Sequence, residues 1–308
     1  MESKRGEINV NPFFSIVIPC FNRGELLERA LRSCVSQTFQ NFECIVVDDG
    51  STEDIGVVVE KFKDDRILLI RQNNSGGSAA RNTGIRNAKG EWIALLDADD
   101  YFLENKLEVF FHRIQANPSD LLYSYAYIDR GHEKKWLKPD RAIQNGEDIT
   151  EYLFCKYQRT STSTFVVRAE VARKVLFDES LPLGQDIDFK IRLVGGGHSI
   201  SMIEEVLSVY DDSGSIGRVS RGNKGEVLEI WLERNRHYFS QKGYRGYRAT
   251  MLSKYIAKRR PFTTLKDLTF GLLFAGVGLK MTARRAVRAF FPQSYNKIVA
   301  YVMRKSGR

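Results

Sequence analysis

The feature that most restricts this chain is an alternation, repeated four times between Phe14 and Ile114, of short apolar runs and segments of helical period. Phe14–Ile18 is apolar and β-branched and stops at Pro19. Asn22 stands three residues before Glu25, a capping spacing, and Leu26, Leu27, Ala30, Leu31, Cys34 and Val35 then recur at helical intervals. Phe42–Val47 and Arg66–Ile70 read as a second and third strand, Glu53–Lys63 and Ser78–Ala88 as the next two helices. Trp92–Leu96 is a fourth strand, and the helix after it carries Leu103, Leu107, Phe110, Phe111 and Ile114 on one side. Such alternation predicts an α/β fold: a mainly parallel central sheet with helices on both faces.

Sheets of this kind bind ligands beyond the carboxyl ends of their strands, and two of these strands run into acid. The second leads into Asp48-Asp49-Gly50-Ser51 and the fourth into Asp97-Ala98-Asp99-Asp100. If both strands are central, five carboxylates gather along one rim and repel one another unless cations or hydrogen-bond donors answer them. Closely spaced carboxylate oxygens suit Mg²⁺ or Mn²⁺, which in turn hold phosphate. Acids also cap helices and open turns, but two clusters on two carboxyl edges favour a site. No G-x-G-x-x-G follows the first strand and no G-x-x-x-x-G-K-[ST] occurs, so neither common nucleotide loop is present. The glycine-rich stretch Asn74 to Asn82, with Arg81 one turn into a helix, could hold an anion or could be an ordinary loop and cap.

Charge divides the chain. Net charge is +9, yet residues 241–308 carry 16 Lys and Arg against the single acid Asp267, so the preceding 240 residues sum to −6. An acidic body bearing a basic tail can meet nucleic acid or an anionic membrane surface. Leu265, Leu268, Phe270, Leu272, Leu273, Phe274, Val277, Leu279, Val287, Phe290, Phe291, Ile298, Val299, Tyr301 and Val302 lie between the tail's charges, with Pro292 as a separator. The longest uncharged stretch, Leu268–Leu279, has 12 residues, fewer than the ~20 that span a bilayer. Aliphatic residues interleaved with Arg284, Arg285, Arg288 and Lys297 suit helices lying in a membrane interface better than a nucleic-acid patch. A helical subdomain packed back on the sheet is the structural alternative. The cysteines Cys20, Cys34, Cys44 and Cys155 form no C-x-x-C pair, which excludes zinc ribbons and dithiol motifs and favours a reducing, cytoplasmic compartment. His112, His132, His198 and His237 make no ligand pattern, and residues 1–12 are too polar for a secretory signal.

The ordered set Pro19-Cys20-Phe21-Asn22, Asp48-Asp49-Gly50-Ser51, Gly76 to Gly84 (G-G-x-x-A-R-N-x-G) and Leu96 to Asp100 resembles glycosyltransferase family 2, of the GT-A fold. The resemblance covers about residues 14–220 and is specific in order and spacing. It implies an inverting enzyme that uses a nucleotide-diphosphate sugar, UDP- or dTDP-linked, and Mn²⁺ or Mg²⁺. Carried over residue by residue, Pro19 and Phe21 line the nucleotide pocket and Asp49 reads the base. Arg81 lies near the nucleotide, Asp97 faces ribose or metal, and Asp99 is the principal metal ligand. Further on, Gln185-Asp186-Ile187-Asp188 to Arg192 is similar to the family's E-D-x-D-x-x-x-R segment, with Gln185 in place of Glu. Asp186 then stands where the catalytic base does, and Asp188 competes for the role. The two point to different helix faces, so only one should face the pocket. Relatives often carry His after the residue matching Tyr210, where this chain has Asp211 and Asp212.

The resemblance divides the chain into a glycosyltransferase domain at 1–240, with a nucleotide-sugar half near 14–128 and an acceptor half near 129–220, and a basic helical extension at 241–308. The expected acceptor is a saccharide, lipid-linked, in cell-surface polysaccharide biosynthesis. The enzyme is then expected to sit peripherally on the inner face of the cell membrane, with no nucleic-acid partner. Two rivals share the features: a sugar nucleotidyltransferase, which normally has a basic glycine loop after its first strand, and an inactive membrane-bound scaffold, against which intact Asp99 and Asp186 argue.

Overall fold

The computed structural model describes residues 11–131, 135–213, 224–295 and 297–298. His132, Val299, Tyr301, Val302 and the start of the chain to residue 10, all used above, lie outside the described residues.

The strands are β1 (Phe14–Cys20), β2 (Phe42–Asp48), β3 (Ile67–Arg71), β4 (Trp92–Leu95), β5 (Tyr101–Phe102), β6 (Leu121–Asp129), β7 (Trp136–Lys138), β8 (Val166–Arg168) and β9 (Ile200–Asp211). They form one sheet in the order β3-β2-β1-β4-β8-β6-β9-β5, with β7 on β6. The four strands read from the sequence are mutually parallel; β8 runs antiparallel between β4 and β6, and β6 and β9 pair parallel again. Phe14 faces Phe42 on one side and Trp92 on the other, so β2 and β4 both flank β1. That register brings the two acid clusters to either side of the Pro19–Asn22 turn. β1 passes through Pro19 because its missing N–H points toward β4, whose pairing with β1 ends at Val17. On the β2 side the Cys20 carbonyl still accepts from Asp49 N, at 2.8 Å.

Alternate β1 residues feed two cores. Phe14, Ile16 and Ile18 pack with Leu27, Ala30 and Leu31 of α1 (Gly24–Val35) and with Leu107 and Phe110 of α4 (Lys106–Ala116). Val17 packs on the other face with α3 (Gly77–Asn87), α6 (Ala169–Val175) and α7 (Gln185–Gly195). Helices thus cover both faces of the sheet. The short α2 (Ile55–Glu60) is capped by Asp54, which accepts from Gly56 N at 2.9 Å. Asn22 does not cap α1: it sits at φ 50° and its side-chain oxygen accepts from Thr52 N at 2.8 Å, tying the first strand's turn to the acidic loop after β2.

A third core joins body and tail. Tyr152, Leu153 and Phe154 of α5 (Ile149–Phe154), Ile191 of α7, and Leu228, Trp231 and Leu232 of α8 (Lys224–Arg234) pack with Tyr247, Met251, Leu252 and Ile256. These last belong to α9 (Gln241–Tyr247), a π-helical turn over Arg248–Leu252, and α10 (Ser253–Ile256). A Cβ at Gly243 would come within 1.8 Å of Thr150 Oγ1, so only glycine lets α9 seat on α5. The core therefore runs across residue 240. Beyond it, α11 (Pro261–Phe274) turns Asp267 inward, where Arg248 donates to both its oxygens at 2.9 and 3.0 Å, and α12 (Leu279–Phe290) follows. Among the described residues no helix is long and apolar enough to cross a membrane.

Gly84 closes the glycine-rich motif for a packing reason: a Cβ there would stand 2.3 Å from Val17 Cγ1. Gly84→Ala should therefore destabilise the protein by about 1–3 kcal/mol in chemical denaturation, and by less in a Val17→Ala background. An equal loss in both backgrounds would show that α3 does not rest on β1 through this contact.

Candidate functional site

One large cleft, about 1390 Å³, opens at the carboxyl edge where β1, β2 and β4 end. Pro19, Phe21, Asp49, Arg81, Asp97 and Asp99 all line it. Of the five clustered acids, three face this space and two do not. Asp48 turns back to accept from Ser51 N at 2.9 Å, and Asp100 is fully enclosed. A close-set tandem of acids cannot all point one way along an extended or turning backbone.

Asp49, 3% exposed, organises the loop that leads into α3. Its Oδ1 accepts from Gln72 Nε2 at 2.7 Å and Ser75 N at 2.9 Å, and its Oδ2 from Gly76 N at 2.8 Å. Those bonds fix the start of α3 and with it Arg81. The Arg81 guanidinium donates from Nη2 to Asp97 Oδ1 and from Nη1 to Gln185 Oε1, the latter at 2.9 Å. Asp99, with its side chain 24% exposed, accepts from Arg23 Nη1 at 2.7 Å. Arg29 holds the Asp99 carbonyl at 2.6 Å and pairs with Asp211 at 2.7 Å. Asp212 pairs with Arg130. Arg23, Arg29 and Gln72 were not singled out from the sequence. Arg23 follows Asn22 directly and carried a signal; Arg29 and Gln72 gain their roles only through partners distant in the chain.

Asp97, Asp99 and Asp100 each bring one carboxylate oxygen to within 4.8 Å of the others'. Hard oxygen donors so close together fit Mg²⁺ or Mn²⁺. Asp100 is the support of the three: it accepts from Ser163 Oγ and from Asp211 N. Burial drives its carboxyl well above the usual range, with Asp97 and Asp99 adding to the rise. Lys106, equally enclosed, donates to Ser163 O at 2.8 Å, and burial lowers its ammonium. Asp97 and Asp99 are the carboxylates of the triad that open on the cleft.

The two candidate bases part company. Asp188 is fully buried: Arg192 donates to its Oδ2 at 2.9 and 2.6 Å, and Trp231 Nε1 to its Oδ1 at 2.7 Å. It has no way out to a ligand and instead fastens α7 to α8. Asp186, beside cleft-lining Gln185, opens onto a second cavity of about 200 Å³ with Arg159, Lys190 and Lys254 in its wall. Breaking a buried ion pair costs about 3–5 kcal/mol. Asp188→Asn should therefore lose that much in a denaturant melt, clearly more than Asp186→Asn; an equal or smaller loss would return Asp188 to candidacy as the base.

Comparison with known proteins bears on the family and the fold. The family model for glycosyl transferase family 2 matches residues 15–176. The amylovoran biosynthesis glycosyltransferase AmsB of Erwinia amylovora is 30% identical over 249 residues, 78% of this chain and 83% of its own length. An uncharacterized glycosyltransferase of Methanocaldococcus jannaschii is 32% identical over 247 residues, with the same 78% and 83% coverage. Among solved structures, residues 1–349 of S. aureus TarS with UDP-GlcNAc superpose with a TM-score of 0.64 at 19% identity, over 90% of this chain and 79% of that one. The mannosyltransferase PcManGT of Pyrobaculum calidifontis, with GDP-Man and Mn²⁺, gives 0.52 at 16% identity, over 96% and 81%. At these identities the two structures speak for the fold.

Proposed function

The chain belongs to glycosyl transferase family 2, and we propose that it is an inverting, divalent-metal-dependent glycosyltransferase whose base is Asp186. The observation that carries this reading is the convergence of Pro19, Phe21, Asp49, Arg81, Asp97 and Asp99 on one cleft at the strand ends. The donor is a nucleotide-diphosphate sugar, UDP- or dTDP-linked. Its nucleoside lies against Pro19, Phe21 and Asp49, and its diphosphate faces Asp97 and Asp99. Asp99 and Asp97 would hold Mn²⁺ or Mg²⁺, which would supply positive charge against the departing diphosphate. Arg23 and Arg81 keep those two carboxylates in place. Asp186 takes the proton of an acceptor hydroxyl while that oxygen bonds to the anomeric carbon and the bond to the diphosphate breaks. A single displacement inverts the anomeric centre and needs no protein nucleophile.

The acceptor in this reading is a saccharide, lipid-linked, in cell-surface polysaccharide synthesis; the amylovoran enzyme among the relatives supports that setting. The tail supports work at a membrane surface. Phe262 is 87% exposed, and Leu265, Leu273, Phe274 and Leu279 are also exposed. Lys258, Arg259 and Arg260 precede them, and Lys280, Arg284 and Arg288 follow on α12. Apolar side chains outward on a basic helix pair match an anionic interface, where each Lys or Arg contributes about 1 kcal/mol.

Asp186→Asn should keep donor affinity and lower turnover by about 10²–10⁴-fold, the usual contribution of a general base. Asp99→Ala, or chelation of the wild type, should remove metal-dependent donor binding. Full turnover in Asp186→Asn, measured by nucleoside diphosphate release with acceptor, would reassign the base. The triple change Phe262→Ser, Leu265→Ser and Leu273→Ser should leave melting behaviour intact but reduce sedimentation with phosphatidylglycerol vesicles at high salt, where charge is screened. Unchanged sedimentation would remove the apolar face from the membrane contact.

A further inference from the structure

The cavity onto which Asp186 opens is walled by cations that make no close salt bridge to a carboxylate among the described residues. Arg159, Lys190 and Lys254 line it together with Tyr157, Thr160 and Tyr255. Arg285 of α12 lies behind Tyr157, its guanidinium 4.6 Å from the ring. The hydrogen-bond partners of these groups are neutral: Arg159 donates to Tyr157 Oη at 3.2 Å and Lys190 to Thr160 Oγ1. Lys190 is 2% exposed and Arg285 4%, and Arg285 Nε is buried with no hydrogen-bond partner. One carboxylate, Asp186, thus faces three basic groups in the cavity wall, with Arg285 behind them, at the junction of body and tail.

Such an arrangement is costly without an anion to answer it. Burial, with repulsion from Arg288, Arg285, Arg159 and Lys224, brings the Lys254 ammonium down to about 7. Burial lowers Lys190 to about 8, with Asp186 partly restoring it. Burial would raise the Tyr157 phenol, but Arg159, Arg285 and Arg284 outweigh it and hold the group below its ordinary value. Tyr157 also stands at φ 57°, a left-handed conformation unfavourable for a bulky residue and common where a fold is strained around a ligand.

We propose that this cavity binds a phosphate or diphosphate group carried by the acceptor, beside the hydroxyl that Asp186 deprotonates. The proposal rests on Asp186 as the base. The donor's own diphosphate belongs with Asp97 and Asp99 in the other cleft, so an anion at Asp186 comes from the acceptor side. Three basic groups in the wall and a fourth behind it, against one carboxylate, call for a multiply charged group in preference to the single charge of a sugar carboxylate. The volume, about 200 Å³, is below the ~300–1,000 Å³ of pockets that enclose a whole small molecule, so it suits a charged substituent with the saccharide extending outward. Lys254 and Arg285 come from the tail, which therefore completes the acceptor subsite.

The test is calorimetric titration of the full chain, in EDTA, with inorganic pyrophosphate. Binding is expected to weaken by about tenfold or more in Lys254→Gln and in Arg285→Gln, to recover in Lys254→Arg, and to tighten in Asp186→Asn, which removes a like charge. Asp99→Ala should leave it unchanged. Affinity insensitive to Lys254→Gln and Arg285→Gln, or competition by UDP alone, would overturn the proposal. Glucuronate binding as tightly as pyrophosphate would overturn the phosphate assignment. A short prenyl diphosphate should show the same Lys254 dependence while partition onto phosphatidylglycerol vesicles does not. The reverse pattern would mean a membrane headgroup occupies the cavity and would overturn the acceptor assignment. Because pyrophosphate titration needs no turnover, it decides the cavity even if activity of Asp186→Asn removes that residue from the base role.

Discussion

Asp49 accepts a side-chain amide and two backbone N–H groups from the loop before α3, and much of the site hangs from those bonds. They set where α3 begins, and so where Arg81 emerges one turn later. Arg81 then holds Asp97 at the end of β4 and Gln185 at the start of α7. A loop of Asn, Ser and Gly has little to hold it by packing, and without its carboxylate anchor it would pay the full conformational cost of order. The acid thus fixes backbone as well as facing the cleft. Gln185 is fitted to its place: a neutral carboxamide can accept from Arg81 while its Nε2 donates to Leu181 O at 2.8 Å, which a carboxylate could not do.

The parts of this architecture that follow from neighbouring residues could be read from the sequence. The short apolar runs and the period-3.6 segments located β1 to β4 and the helices between them, because continuous burial in a covered sheet and a helix stripe are local patterns. The rim acids could be read as a group because β2 and β4 both end at β1. What could not be read was the division of labour inside a run of like residues. Asp97, Asp99 and Asp100 are chemically equal in the sequence; Ser163 and the Asp211 amide, both far along the chain, make Asp100 the enclosed one. Asp188 differs from Asp186 because Trp231 and Arg192 reach it. Asn22 has the spacing of a cap, yet Thr52 offered it better donors. In each case a long-range partner overrode a local preference.

The tail illustrates a similar limit. Its excess charge is visible in composition, but composition does not say which charges face water. Arg248 is spent on Asp267 inside the helical layer, and Arg285 is buried, whereas Phe262 and Leu273 stand outside. On α11 the ion pair lies inward beside Leu268, while Phe262, Leu265, Leu273 and Phe274 lie outward. Helix periodicity reports that two faces differ and leaves open which of them meets the body.

The third core has a consequence for how the molecule comes apart. Phe154, Trp231, Tyr247 and Leu252 interlock in one apolar cluster, and Trp231 is also the residue that pins Asp188. A segment whose side chains fill its neighbour's interior cannot fray away by itself as a weakly held terminus does. Residues 241–256 and the sheet domain should accordingly melt in one cooperative transition, with calorimetric and van't Hoff enthalpies in agreement. Severing the chain at residue 240 would leave aromatic surface facing water and loosen the α7–α8 contact. The stretch of tail up to Ile256 is thus a structural member of the sheet domain, and the two helices beyond it rest on that base through Asp267, Val277 and Arg285 while their outer faces stay open to serve as an attachment.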